Sequence, residues 1–389
     1  MSSTHYDPIQ MIERLVSFDT TSRESNLALI HFVRDYLASH GIDSTLIHDE
    51  TGNKANLYAT VGPQDVPGIA LSGHTDVVPV DGQPWDTEPF TLVEKDGRLY
   101  GRGTSDMKSF SAIALALVPE FVARPLKTPI HFALSFDEEV GCLGAPLMIN
   151  QLGAELGVKP HIVIVGEPTN MAVVNAHKGV YSFETRLRGR EVHSSATHLG
   201  VNAVQHAATL VHFLTELADE MAGRAEPESG FDPPYTTVHV GTIRGGTAQN
   251  IVPLDCAFTW EYRLLPGADP DEIRTRFEQF AEETVLPRMH AVDPGTTIAT
   301  EIRAQVPGLV PEEGSPAEAI VMALARTNRT EVVAYGTEAG QFQEVGIPTV
   351  ICGPGSIMQA HQPNEYIELS QVHACETFMR RLLDEVCAA

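Results

Sequence analysis

Four short apolar runs constrain this chain more than any other feature: ANLYATVG, GIALSGHTD, PIHFALSFDEE and HIVIVGEP, all within residues 55–168. Each has the length and composition of a strand buried on both faces, and the last three end in metal-capable His, Asp or Glu residues. Helical patterns alternate with them. DPIQMIERLVSF opens with Asp7 as N-cap and Pro8 at the first helical position, NLALIHFVRDYLASHG closes at Gly41, and SFSAIALALVPEFVA is an apolar helix. Strands alternating with helices predict an α/β layer, a mainly parallel sheet with helices on both faces. Ligands in such open sheets bind outside the carboxyl ends of the strands, where these polar clusters fall.

The texture changes near residue 180. YSFETRLRG alternates as a strand, and GVNAVQHAATLVHFLTELADEM carries apolar residues at helical spacing. YTTVHVGTIRGG and DCAFTWEYRLLPG follow as strands, then DPDEIRTRFEQFAEETVL as a helix capped by Asp269 or Asp271, then the strand TTIATEIRAQ. Strand–helix–strand–strand–helix–strand is the split βαβ order of a small two-layer α+β domain. SPAEAIVMALARTN and IPTVICGPG return to the α/β texture. The expectation is a discontinuous catalytic domain, 1–179 and 305–389, with an inserted domain over 180–304.

Composition excludes several classes. A chain of 389 residues needs no disulfide support for its core. Its five cysteines (Cys142, Cys256, Cys352, Cys375, Cys387) are scattered with no CxxC pair, against a disulfide framework or a thiolate zinc site. The net charge of −25 disfavours nucleic acid or an anionic membrane as partner. No apolar run is long enough to span a bilayer, and MSSTHYDPIQMIERLVSF lacks a basic start and an apolar core. The expected location is cytoplasmic.

Five residues at strand ends or in loops carry the chemistry: His74, Asp106, Glu139, Glu167 and His361. Two histidines and three carboxylates form a mixed N/O set suited to Zn²⁺, Co²⁺ or Mn²⁺. If one carboxylate bridges, each of two metals has one histidine, one terminal carboxylate and an open position for water, the arrangement a hydrolase needs. His74 and Asp76 lie two apart on a strand end and share a face, so the Asp76 carboxylate is expected to orient the His74 ring. Glu138 beside Glu139 would be a costly pair of like charges in a structural role. A metal centre resolves that cost: Glu139 ligates, and Glu138 acts as general base toward a water whose pKa a metal lowers to about 7.

Together SGHTDVVP, LYGRGTSDMK, the DEE triplet, GEPT and AHQPNE resemble a metallopeptidase family of aminoacylases, acylornithine deacetylases, desuccinylases and carboxypeptidases, over nearly the whole chain. The resemblance implies a zinc-peptidase catalytic domain with an inserted lid or dimerisation domain, two Zn²⁺ (Co²⁺ as substitute), Asp106 as the bridging ligand and a homodimer formed through the insert. AHKG, GREVHSS, GVNA, YRLLPG, GTEAGQF and GPGSIMQAHQPNEYIE are most similar to the members that remove acetate from N2-acetyl-L-ornithine, a step of arginine biosynthesis. By the same resemblance His193 helps hold the developing oxyanion, Asn250 contacts substrate, and Arg263 forks onto its α-carboxylate. A second role for His193, as a cap on the following helix, also fits the residues. Thr197 departs from the proline frequent after the HSS triplet. Glu338 in TEAGQF is expected to meet the ornithine δ-amine. Alternatives are a broader N-acyl-amino-acid deacylase, a succinyl-diaminopimelate desuccinylase, and an inactive metal-dependent binding protein, which would have no use for Glu138.

Overall fold

The computed structural model describes residues 5–387. It comprises two compact units: Met1–Ala176 with Leu309–Val332 and Thr337–Ala389, and His177–Gly308 with Val333–Gly336.

An eight-stranded sheet organises the first unit. Its order is Ser44–His48, Ala55–Val61, Ile130–Ser135, Ile69–His74, Ile162–Pro168, Thr349–Gly353, Val174–His177 and Glu331–Val333. The four strands from Ile130–Ser135 to Thr349–Gly353 run parallel, and antiparallel neighbours flank them. Every residue of Ile69–His74, Ile130–Ser135 and Ile162–Pro168 is buried. Central parallel strands are covered on both faces, which is why these segments read as continuous apolar runs. Because the three are parallel, His74, Ser135 and Glu167 all lie at the same carboxyl edge.

The helix Pro8–Val16 starts where expected: Asp7 accepts the Gln10 N–H at 2.9 Å and the Gln10 side chain returns the bond at 3.0 Å, a capping box. The apolar segment over 109–123 forms two helices, Lys108–Ala116 and Val118–Ala123. Pro119 sits in the first turn of the second, where its missing N–H costs nothing. A small sheet of Val93–Lys95, Arg98–Tyr100 and Tyr366–Glu368 joins distant parts of the same unit. Among the described residues all five cysteines are free, and no helix is long and apolar enough to cross a membrane.

The second unit is a four-stranded antiparallel sheet in the order Thr237–Gly245, Asp255–Leu264, Gly179–Arg188, Thr297–Val306. Its central strands alternate buried and partly exposed residues, as a sheet with one covered face requires. The helix Ala203–Gly223 buries Ala203, Ala207, Leu210, Leu214, Leu217 and Met221, a stripe at 3.6-residue spacing. Phe183, Trp260 and Phe277 stack at 4.4 and 4.5 Å to form the centre of this core. The helix expected over 269–286 begins at Glu272 and relaxes into a π turn over Ala281–Val285 before Leu286–His290. Pro287 has no N–H to continue the α-helical ladder, which accounts for the irregularity.

Candidate metal centre

Three strand ends and two loops of the first unit converge on one cluster. His74 is the last residue of its strand, Glu167 the penultimate residue of its own, and Glu138 and Glu139 follow the strand ending at Ser135. Asp106 precedes the helix Lys108–Ala116, and His361 lies in the loop after Thr349–Gly353. The Asp106 carboxylate stands between the imidazoles: His74 Nε2 is 3.0 Å from Asp106 Oδ1, and His361 Nε2 is 3.3 Å from Asp106 Oδ2. On the His74 side Glu167 Oε1 is 3.6 Å from Nε2; on the His361 side Glu139 Oε2 is 3.0 Å from Nε2. Glu138 groups with His74 and Glu167, their ligand atoms all within 4.8 Å of one another, and His74, Asp106 and Glu139 form a second such group.

The electrostatics call for cations. Glu139 Oε1 and Glu167 Oε1 are buried without a hydrogen-bond partner. Burial, with the neighbouring carboxylates, pushes Glu138 up to about 8, Glu139 up to about 7, and Glu167 well above the ordinary carboxylate range. Burial opposes ionisation of Asp106 as well, yet bonds to His361 and His74 hold its carboxyl below the usual value. His361 is raised to about 10 by Asp106 and Glu139. Unpaired buried oxygens facing two imidazoles are a donor set for hard-to-borderline divalent ions, so the residues present fit a metal pair.

Asp76 acts otherwise than its spacing suggested. His74 Nδ1 is 2.8 Å from the Asp76 carbonyl oxygen, whereas the Asp76 carboxylate is 3.6 Å away. The carboxylate instead accepts the N–H groups of Glu138 (3.1 Å) and Glu139 (3.3 Å) and the Ser22 hydroxyl (2.7 Å). Thus the Asp76 main chain makes the ring's nearest contact, and the side chain, 3.6 Å from the ring, also fixes the two glutamates.

Glu338 is a correction. Its side chain is buried, Oε1 accepting the Ser72 hydroxyl at 2.5 Å and Oε2 the Ser135 hydroxyl at 2.7 Å. Both oxygens are committed to the sheet interior, so the side chain presents no acceptor to a substrate amine. Burial raises its carboxyl above the ordinary value.

His193, Asn250 and Arg263 belong to the second unit. His193 is exposed and caps the 3₁₀ turn Ser194–Leu199, its Nδ1 accepting the Ser195 N–H at 3.2 Å. Asn250 is beside it, its carbonyl accepting the Ser194 N–H at 3.0 Å. Arg263 places Nε and a terminal nitrogen each 3.1 Å from the two oxygens of Glu261, so its fork already holds a carboxylate.

Sequence reasoning missed the buried pair Arg102–Glu365, 2.7 Å apart. Both residues stand inside motifs that were noticed, GRGTSD and HQPNE, but 263 positions separate them and no local spacing marks the pair.

Fold and cluster together define a metal-dependent hydrolase of amide bonds. The description "Peptidase family M20/M25/M40" matches residues 70–385, and the chain belongs to that family. It is 36% identical to an acetylornithine deacetylase of Myxococcus xanthus over 382 residues, covering 97% of this chain and 96% of that protein. A second acetylornithine deacetylase, from Proteus mirabilis, is 33% identical over 372 residues, 95% of this chain and 93% of the relative. Among solved structures, an M20 family metallo-carboxypeptidase from Sulfolobus solfataricus superposes with a TM-score of 0.78 at 18% identity, covering 98% of this chain and 99% of the other.

Proposed function

We propose that this enzyme removes the acetyl group from N2-acetyl-L-ornithine, giving L-ornithine and acetate, as a step of arginine biosynthesis in the cytoplasm. The observation that carries the hydrolytic reading is the Asp106 carboxylate between His74 and His361, with Glu167 and Glu139 on its two sides. In this reading His74, Glu167 and Asp106 would hold one Zn²⁺, and His361, Glu139 and Asp106 would hold the other, with Co²⁺ as a substitute. Two such ions would supply Lewis-acid polarisation of the acyl carbonyl and of the attacking water.

Glu138 accepts a proton from that water and delivers it to the departing nitrogen as the C–N bond breaks. Burial favours its neutral form, and nearby positive charge is what would keep it ionised and basic at neutral pH. Asp76 holds Glu138 in place through the main-chain N–H. His193, Asn250 and Arg263 are assigned to the substrate on the family resemblance, and Arg263 would have to exchange Glu261 for the substrate carboxylate. The ornithine assignment is supported by the two deacetylase relatives and no longer by Glu338. Association of two copies through the second unit is supported by its edge strand Thr237–Gly245, which pairs on one side only and is largely exposed.

The test is a panel of N-acetylornithine, N-acetylcitrulline, N-acetylmethionine and N-succinyl-diaminopimelate, assayed with Zn²⁺ and with Co²⁺ after chelation. Preference for N-acetylornithine in kcat/KM is expected. Equal rates on N-acetylmethionine would indicate a broader deacylase, and preference for the succinyl substrate a desuccinylase.

A further inference from the structure

Asp106 and His361 come from loops far apart in sequence, yet their side chains must meet within a hydrogen-bond distance. The loop before Asp106 is held by Glu365. Its Oε1 accepts the N–H groups of Ser105 (2.8 Å) and Asp106 (3.1 Å), and its Oε2 accepts Gly103 N–H (3.2 Å) and the Arg102 guanidinium (2.7 Å). Arg102 in turn reaches the other loop, donating to the Gln362 carbonyl (3.4 Å) and to Gln83 Oε1 (2.6 Å). Gln83 then donates to the carbonyl of His361 itself (2.9 Å). Arg102 and Glu365 are each 1% exposed.

His361 needs this support. Its φ is +63°, a conformation a non-glycine residue keeps only where its surroundings hold it. Its side chain is 52% exposed, so packing does little to fix the ring, and the His74 ring by contrast is 1% exposed. Buried ion pairs are weak sources of net stability. This one places four acceptor contacts on a loop that ends at Asp106, and its Arg102 reaches the Gln362 carbonyl, next to His361, and the Gln83 side chain.

We propose that Glu365, Arg102 and Gln83 are positioning residues that set His361 against Asp106 and so control the second metal position. The inference rests on the two-metal reading above. Glu365→Gln keeps the shape but turns one acceptor into a donor facing the loop N–H groups or Arg102. Gln83→Ala, at a half-buried surface position, removes the tether to the His361 carbonyl while leaving Glu365 in place. Outer partners of metal ligands are typically worth about 10–100-fold in metal affinity.

The experiment titrates chelator-stripped full-length protein with Zn²⁺ against a chromophoric chelator, repeats it with Co²⁺ by visible absorption, and records metal-free melting alongside. Wild type takes two equivalents. In both variants the second equivalent weakens by about 10–100-fold while the first changes less, and the metal-free melting of Gln83→Ala falls less than that of Glu365→Gln, because only one Arg102 donor loses its acceptor. Second-equivalent affinity unchanged in both variants would overturn the proposal. Equal weakening of both equivalents together with lower metal-free melting would overturn it too, reducing the three residues to fold support. A wild type that takes no second equivalent would bring down the two-metal reading itself, a result distinct from either of those.

Discussion

Replacing Glu338 by alanine separates a structural carboxylate from a substrate-recognising one. The change strips the acceptors from two fully buried serine hydroxyls. Ser72 retains a contact at 3.3 Å to the Ala133 carbonyl, so Ser135 bears most of the loss. An unsatisfied buried hydroxyl costs about 1–3 kcal/mol. The one buried methylene lost adds about 0.8 kcal/mol. The first unit should lose about 2–4 kcal/mol in all, within the range of a large core truncation. Glu338→Gln retains one acceptor and the volume, and should lose less. Its deficit should also depend on pH. Burial raises the folded carboxyl above its unfolded value of about 4.3, so stability from the protonated form is complete below that value and lost as pH rises through the folded one. The glutamine variant, which cannot ionise, should therefore compare more favourably with wild type at pH 8 than at pH 5. Urea unfolding in chelator at both pH values measures this, and kcat/KM on N-acetylornithine and N-acetylmethionine is read in parallel. The ratio of the two substrates should stay at its wild-type value. A Glu338→Gln protein of undiminished stability that loses N-acetylornithine selectively by about tenfold, or 1.4 kcal/mol, would refute the reasoning and restore Glu338 as the amine's partner.

Glu138→Ala should keep both metal equivalents while turnover falls by about 10²–10⁴-fold; retained turnover would remove Glu138 as the base. Asp76→Asn leaves only one oxygen for the N–H groups of Glu138 and Glu139, so kcat should fall more than metal affinity, measured by steady-state kinetics and chelator competition. Metal removal should expose the titration of the ligand cluster, whose own contribution to stability has one sign above pH 5. Glu138 (about 8), Glu139 (about 7) and His361 (about 10) all have raised folded values, so the stability they bring is lost as pH rises through that window. Buried Lys108, lowered to about 7, works the other way, so the metal-loaded protein is the reference: the metal-free form should lose stability relative to it as pH rises from 6 to 10, and a constant difference would contradict the assignment of these shifts.

Local chemistry made much of this molecule readable in its sequence. His74, Glu138, Glu139 and Glu167 sit at the ends of apolar runs whose continuous burial is itself a pattern in composition, and parallel strands bring their carboxyl ends to one edge. The helix Ala203–Gly223 and the alternating strands of the second unit are periodicities of 3.6 and 2, visible without coordinates. What periodicity cannot carry is partner choice across the chain. Glu338 looked like a ligand for an amine because an acidic residue in a loop motif is usually accessible; only sheet packing revealed two serines beneath it. Asp76 stands two residues beyond His74, just past the strand end, and the neighbouring loop supplied closer donors to its carboxylate than the ring did. Thus the sequence by itself determined the two chain textures and the set of metal-capable residues, because both follow from short-range spacing. The tertiary structure alone decided that Glu338 is sealed in the core and that Arg102 and Glu365 join the ligand loops. Those outcomes depend on which distant segments pack together, and hydrogen-bond geometry is decided at distances that no spacing along the chain encodes.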